Sequence, residues 1–512
     1  MKRPCLLLAV VLSARVAGAA MPAGEDRRVI SLSGAGWTAD GESVRVPHTW
    51  NAIDGADGLG ACTDESANSP SYARRRVVYR RQLPPNPVGR RAFVRFGGAS
   101  ERAAVRVNGK EVGRHEGAYT AFAFEVTEAL RDDGGVLEVE VDNFIDPARS
   151  VPPWAADYSV FGGLYRDVEW IETAATCIDP LHFAGPGVWV EADASGAVQV
   201  DVRIRGSTPG TSVVYEVKDQ SGKLVAKTAS KSFRVKNPTL WTPETPALYT
   251  LTARLTDGAS RDSVSVRFGF RSFAFRPDGF YLNGMKRKIR GVNRHKDREG
   301  KGWAVSAADE TEDIEWIKRM GADGLRTAHY PQSGHIYDLC DEKGLLAWVE
   351  SPNVNALKDD PAYLRRAETN LTEAIWQLKN HPSIFVWSVC NEVATNRMDG
   401  TGVAEKVTTW LDGLAKGLDP SRPSASASFL PYQSRLNAIT DVVGFNFYPG
   451  WYRNEPDGMK GTIDDALEQN PGLGTIGVTE YGAGASVLQH GDALARNQPQ
   501  SPLHIEEWQA WV

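Results

Sequence analysis

Two glutamates, Glu392 and Glu480, stand where carboxylates are costly unless they are used. The run Ile384 to Cys390 is almost continuously apolar, as a parallel strand covered on both faces is, and it stops abruptly at Asn391-Glu392. Glu480 likewise closes a candidate strand over 475–479. An acidic group in such a place must be paired or do chemistry. For either glutamate alone an ordinary salt bridge is the commoner explanation. The neighbouring strand ends argue for more: Asn293, Arg294 and His295, then Arg326 and His329, then Glu350, then Asn446 and Tyr448 all follow candidate strands. Polar groups at successive C-terminal tips of a parallel barrel converge on one open mouth. Two carboxylates facing each other there fit a pair flanking one glycosidic bond, and a separation of ~5 Å is the geometry in which one acts as acid and then base and the other as nucleophile. A cation such as Arg326 beside Glu480 would keep it ionised, and that negative charge would help hold Glu392 protonated.

The elements that must position these groups can be read from the pattern. From 276 onward short apolar runs alternate with helical ones, the βαβ signature. Candidate strands are Ile289 to Asn293, Gly324 to Thr327, Leu345 to Val349, Ile384 to Cys390, Ser424 to Ala427, Val442 to Phe445 and Thr475 to Thr479. Helices are expected over 306–320, where Ser306 and Asp309 form a capping-box-like start, and over 361–379, where Tyr363, Ala367, Leu371, Ile375 and Leu378 share a stripe. Seven such strands predict a (β/α)8 TIM barrel cut short after its seventh strand, with Glu392 and Glu480 at the fourth and seventh tips. Upstream, residues 28–175 break into short β-type runs with the spacing of a jelly-roll β-sandwich, and Asn108-Gly109 has the chemistry of a type I′ hairpin turn. Residues 176–275 have the size and strand content of an immunoglobulin-like β-sandwich.

At 512 residues the chain has room for about three domains, and 42% hydrophobic with 24% charged residues is the mixture of an ordinary folded protein. A net charge of -6 with no dense Lys/Arg run sets nucleic acid aside as a partner. Lys2 and Arg3, the apolar run Cys5 to Leu12 and the small residues Ala17 to Ala20 read as a signal peptide over 1–20, so a secreted or periplasmic protein is expected. No later stretch approaches the ~18 apolar residues of a spanning helix, so no membrane partner is expected. The other four cysteines, at 62, 177, 340 and 390, show no zinc spacing and read as buried free thiols.

GVNRHKDREGKG at 291–302, GLRTAHYPQ at 324–332, SVCNEV at 388–393, GFNFYPGWY at 444–452 and VTEYGAGA at 478–485 resemble the ordered barrel motifs of glycoside hydrolase family 2. VPHTWN at 46–51 and DYSVFGGLYRDV at 157–168 resemble that family's sugar-binding-like jelly roll. The resemblance covers nearly the whole chain. It implies a retaining exo-β-glycosidase working without a cofactor on terminal non-reducing sugars, with Glu392 as acid/base and Glu480 as nucleophile. By the same resemblance Asn391 would bind the sugar 2-hydroxyl, Tyr448 and Arg326 would hold Glu480, His295 and His329 would line the sugar subsite, and Asp157 would reach its mouth. The GVNRHKDR form and the aromatics Tyr448 and Trp451 look closest to β-galactosidases. β-Glucuronidases and β-mannosidases share most of these residues.

Three departures from the family pattern stand out. Asp323 replaces the usual Asn two residues before the Leu325-Arg326 pair, a change expected to stay within strand packing. Glu350 is followed by Ser351 and Pro352 instead of a His two residues on, so no metal is expected there. Only 32 residues follow Glu480, enough for the start of a seventh helix within QSPLHIEEWQAWV. An open seven-stranded barrel leaves two strand edges unpaired, which invites association, a homo-oligomer included. The chain is therefore expected to be a fragment of a longer enzyme, to be completed by another chain, or to have lost activity. The rival reading is a non-catalytic carbohydrate-binding protein with a degenerate barrel.

Overall fold

The computed structural model describes residues 27–53, 73–85, 89–153, 158–393, 402–429, 434–452, 456–470, 473, 476–491 and 501–512. The expected signal peptide, Cys5 and Cys62 lie outside them. Alternating burial along antiparallel strands builds the first unit. One sheet runs Arg28–Ser31, Val168–Thr173, Arg91–Phe96, Phe122–Glu125, and the other Glu42–Val46, Gly34–Ala39, Arg76–Leu83, Gly135–Asp142, Arg102–Val107, Lys110–Glu116. Trp37, Tyr79, Phe96 and Trp170 fill the space between them. Asn108 and Gly109 take the expected hairpin turn with φ of 51° and 80°, the left-handed values that Asn and Gly tolerate.

The VPHTWN motif is a clasp. His48 N–H donates to the Leu164 carbonyl at 2.8 Å, and Asn51 Oδ1 accepts from Gly162 N–H at 2.9 Å. The Trp50 indole lies so close to Gly162 that a Cβ there would sit 1.9 Å from it, which is why this position needs glycine. The clasp holds the segment after residue 158, whose aromatics Tyr158 and Tyr165 pack with Trp303 and Tyr330 of the barrel.

The second unit pairs a three-stranded sheet (Val188–Ala192, Ala197–Val202, Ser232–Arg234) with a four-stranded one (Leu224–Thr228, Ser212–Lys218, Tyr249–Asp257, Ser260–Phe268) around Tyr215, Leu251 and Phe268. A boundary at 275 cuts through an element that the strand pattern did not reveal. Phe273–Arg276, Gly279–Leu282 and Met285–Arg287 form an antiparallel meander. Its Phe280 packs on Phe385 with ring centroids 5.4 Å apart, beside Leu346, Ala425 and Val442, the residues that start or nearly start three barrel strands. The meander thus closes the bottom of the barrel.

The barrel strands are β1 Gly291–Arg294, β2 Gly324–Thr327, β3 Leu346–Glu350, β4 Ile384–Asn391, β5 Ser424–Ser428, β6 Val442–Asn446 and β7 Ile476–Glu480, hydrogen-bonded in parallel in that order. The helices are α1 Ala307–Arg319, α2 Gly334–Lys343, α3 Pro361–Leu378, α4 Val403–Leu418, α5 Met459–Gln469 and α6 Glu506–Trp511. β1 and β7 are the end strands of the sheet, and Asn293 Nδ2 donates to the Thr479 carbonyl at 2.9 Å where they approach. Asp323, the departure at the head of β2, accepts the Arg290 N–H at 2.6 Å and pairs with Arg287, a strand-packing role as expected.

The predicted capping box is present: Ser306 Oγ accepts from Asp309 N–H at 3.2 Å, and the Asp309 carboxylate accepts from Ser306 N–H at 2.8 Å. Ser306→Ala is expected to cost the barrel about 1 kcal/mol, the usual loss for a removed N-cap, read as a lower urea midpoint with an unchanged slope.

Candidate active site

All seven strands end on the same side, so the seven tips share one rim. β4 is buried along its whole length, and the chain then turns sharply: Glu392 has φ of 50°, a left-handed conformation rare outside glycine, with its N–H bonded to the Ala427 carbonyl at 2.9 Å. A non-glycine residue held there carries backbone strain that the surroundings must fix.

Arg326, at the third position of β2, is the hub. Its Nε and Nη2 hold Glu350 with distances of 2.8 to 3.0 Å, its Nη1 donates to Glu480 Oε1 at 2.6 Å, and Nη2 also reaches Asn391 Oδ1 at 2.8 Å. A guanidinium can only donate, so the Asn391 atom facing it is the oxygen. Glu350 is wholly buried and also accepts from His329 Nδ1 at 2.7 Å, Ser388 Oγ at 3.2 Å and Trp348 Nε1 at 3.3 Å. Burial opposes its ionisation, but Arg326 and His329 hold its carboxyl below the ordinary range.

Both oxygens of Glu480 are held: Oε1 by Arg326 and Oε2 by the Tyr448 hydroxyl. This fixes the carboxylate in one orientation. Burial and the adjacent Glu480 charge push the Tyr448 hydroxyl far above a normal phenol, so it stays a donor at any working pH. Tyr448→Phe removes that bond while keeping the ring. It is expected to lower kcat about 10- to 100-fold with no change in far-UV circular dichroism, less than the roughly 10²- to 10³-fold lost with a donor that bonds the reacting substrate atom itself.

Glu392 is tied to the same network through Asn446. Asn446 Nδ2 donates to Glu392 Oε1 at 2.5 Å and to Asn391 Oδ1 at 3.2 Å, while its Oδ1 accepts from Thr479 Oγ1 at 2.8 Å. In the β6–β7 ladder Asn446 is the direct partner of Glu480. The two glutamates are thus joined through one asparagine, its side chain on the first and its backbone register on the second. Burial raises the Glu392 carboxyl, the Asn446 bond lowers it, and Glu480 raises it further, with a net upward shift.

Of the residues expected at the site, Glu392, Glu480, Asn391, Arg326, His329 and Tyr448 come together in this one network. His295 sits at its edge: its ring is 5.4 Å from that of His329 and its Nδ1 is 3.0 Å from the Tyr330 hydroxyl. Trp451 does not join. Its ring meets His504 at 5.3 Å and Tyr452 at 6.1 Å, packing on the C-terminal segment that ends in α6. Asp157 lies outside the described residues. The sequence placed Asn446 and Glu350 at strand tips but gave them no role, and they turn out to be the links between the others. Tyr158, whose ring lies 5.5 Å from His295 and 6.2 Å from His329, carries the jelly roll into the site next to the residue that had been singled out.

Among the described residues one cluster has metal-type side chains within reach of each other: Asp338, Asp341 and His381. All three are engaged by the protein. Asp341 accepts from His381 at 2.6 Å and from Ser383 N–H at 3.1 Å, and Asp338 pairs with Arg267 at 2.6 Å.

The comparisons with known proteins agree with this architecture. The model described as "Glycosyl hydrolases family 2, TIM barrel domain" matches residues 273–500, and "Glycosyl hydrolases family 2" matches 187–271. A β-glucuronidase of Bacteroides fragilis is 34% identical over 505 residues, covering 92% of this chain and 70% of that protein. A β-galactosidase of Thermoanaerobacter pseudethanolicus is 30% identical over 379 residues, 70% of this chain and 48% of that one. The crystal structure of a Bacteroides uniformis β-glucuronidase superposes with a TM-score of 0.82 at 28% identity, over 95% of this chain and 62% of that one. A jelly roll, a second sandwich and a parallel barrel whose strand tips gather two glutamates around one arginine identify the chain as a glycoside hydrolase belonging to family 2.

Proposed function

We propose that this chain carries the catalytic centre of an exported retaining exo-β-glycosidase that removes a terminal non-reducing β-linked sugar. The observation that supports it most is the asymmetry of the carboxylates. Glu480 is gripped by a cation and a hydroxyl, whereas Glu392 is half-buried with its proton affinity raised. That is the pairing of an ionised nucleophile with a protonated acid. Glu392 protonates the leaving oxygen as Glu480 attacks the anomeric carbon; Glu392 then takes a proton from water, which displaces Glu480 and returns the sugar with its original configuration. Asn391 Oδ1 accepts from Arg326 and Asn446, so its amide nitrogen is the group presented to a sugar hydroxyl.

For the sugar, our reading is a β-glucuronide. A relative matched over 92% of this chain and 70% of its own length is named a β-glucuronidase, and so is the solved structure above. A β-galactoside, the expectation from the motifs, is the second reading, favoured by the 30% identity to a β-galactosidase. Nitrophenyl β-glucuronide, β-galactoside and β-mannoside assayed side by side separate them. A kcat/KM at least tenfold higher for the glucuronide supports the first reading, a galactoside preference replaces it with the second, and no turnover of any of the three removes both.

A further inference from the structure

Lys296 follows His295 in the β1 loop, yet its side chain turns away from the mouth and is buried. Among the described residues no carboxylate lies within salt-bridge distance of its Nζ. Instead the ammonium is surrounded by four aromatic rings, with Nζ 3.7 Å from the ring centre of Trp303, 4.1 Å from Tyr165, 4.7 Å from Tyr119 and 4.8 Å from Tyr330. Its hydrogen bond goes to the Tyr165 hydroxyl at 2.9 Å. Tyr119 and Tyr165 belong to the jelly roll, Trp303 and Tyr330 to the barrel. Burial draws the lysine towards losing its proton, while ring faces turned towards a desolvated cation favour keeping it.

The cage leads directly to the sugar subsite. Tyr330 stacks on Tyr119 at 4.7 Å and an interplanar angle of 6°, and its hydroxyl meets His295 Nδ1 at 3.0 Å. Tyr158 of the jelly roll touches the Tyr330 and His295 rings. A barrel that supplied these groups alone would have no need of a cation between two domains. We propose that Lys296 is a positioning residue, a cation–π clamp that seats the jelly roll on the barrel and, through the fully buried Tyr330, sets Tyr158 and His295 at the edge of the sugar subsite. Lys296 touches neither the sugar nor the reacting carboxylates, so its charge acts on KM and leaves bond cleavage by Glu392 and Glu480 almost unaltered. This inference rests on the glycosidase reading above.

The test starts from wild-type enzyme with whichever nitrophenyl glycoside it hydrolyses. If it hydrolyses none, the glycosidase reading fails, and the clamp, as a device of that site, falls with it. With turnover established, Lys296→Met, which keeps the length and removes the charge, is expected to raise KM about tenfold with kcat within about threefold. Lys296→Arg, which keeps a cation for the rings, should recover KM to within about threefold of wild type. A KM unchanged in Lys296→Met, or one equally raised in both variants, overturns the clamp while leaving the glycosidase reading intact. Should Lys296→Met fail to fold, Tyr165→Phe, which keeps the ring and deletes the hydroxyl on Nζ, carries the test: a KM raised several-fold at constant kcat upholds the clamp, and an unchanged KM refutes it.

Discussion

Glu480→Gln is expected to lower kcat/KM for a nitrophenyl glycoside by about 10⁴-fold or more, equivalent to ~5 kcal/mol of barrier at 1.36 kcal/mol per decade. The amide keeps the shape, so Arg326 still has Glu350 to hold and the tips of β2 and β3 stay in place. What disappears is the electron pair that attacks the anomeric carbon. The same site offers a check on the direction of attack. In Glu480→Gly, azide in the vacated space should restore part of the turnover and yield a glycosyl azide of inverted anomeric configuration. Circular dichroism matching the wild type, together with retained turnover in Glu480→Gln, would show that another group is the nucleophile.

Glu392→Gln should lose roughly 10²- to 10⁴-fold on a nitrophenyl glycoside, the range of a general acid. The loss should be smaller in the first step for a dinitrophenyl leaving group, which needs no proton. The pH dependence carries a sign. Because burial and the Glu480 charge raise the Glu392 carboxyl, the acid remains protonated above the ordinary carboxylate range. Wild-type kcat/KM should therefore fall as pH rises through that elevated value, and the alkaline limb should vanish in Glu392→Gln with the dinitrophenyl substrate. An alkaline limb that persists unchanged in the variant would assign it to a different group.

The barrel was legible because burial on both faces leaves a strong mark: β4 is an apolar run broken only by Ser388 before it ends at Asn391. Every barrel strand starts and ends within two residues of its expected bounds, and the capping box at Ser306 marks the start of α1. The meander over 273–287 was not legible. Its phenylalanines face the barrel floor across the chain, and local spacing carries no sign of a contact with Phe385 more than a hundred residues away. Helix α2 lies between the two helices singled out and α4 and α5 follow them, within a pattern that only indicated alternation. At the site, charge and position at the strand tips found the glutamates and Arg326, but the connection between them is tertiary. Asn446 matters because it faces Glu392 in space and pairs with Glu480 in register, and neither relation is a spacing. Trp451, three residues after Tyr448 in sequence, packs on the C-terminal segment, a contact that local spacing likewise does not show.

The central claim is that Glu480 forms a covalent bond to the sugar while Glu392 supplies and recovers the proton. Incubating the protein with the 2-deoxy-2-fluoro glycosyl fluoride of the sugar it hydrolyses, followed by proteolysis and mass spectrometry, tests it directly. A stoichiometric mass increase located on the peptide containing Glu480, absent from Glu480→Gln, is the predicted result. A label on any other residue, or continued turnover of nitrophenyl glycoside with no labelled peptide and an inverted product, would contradict it.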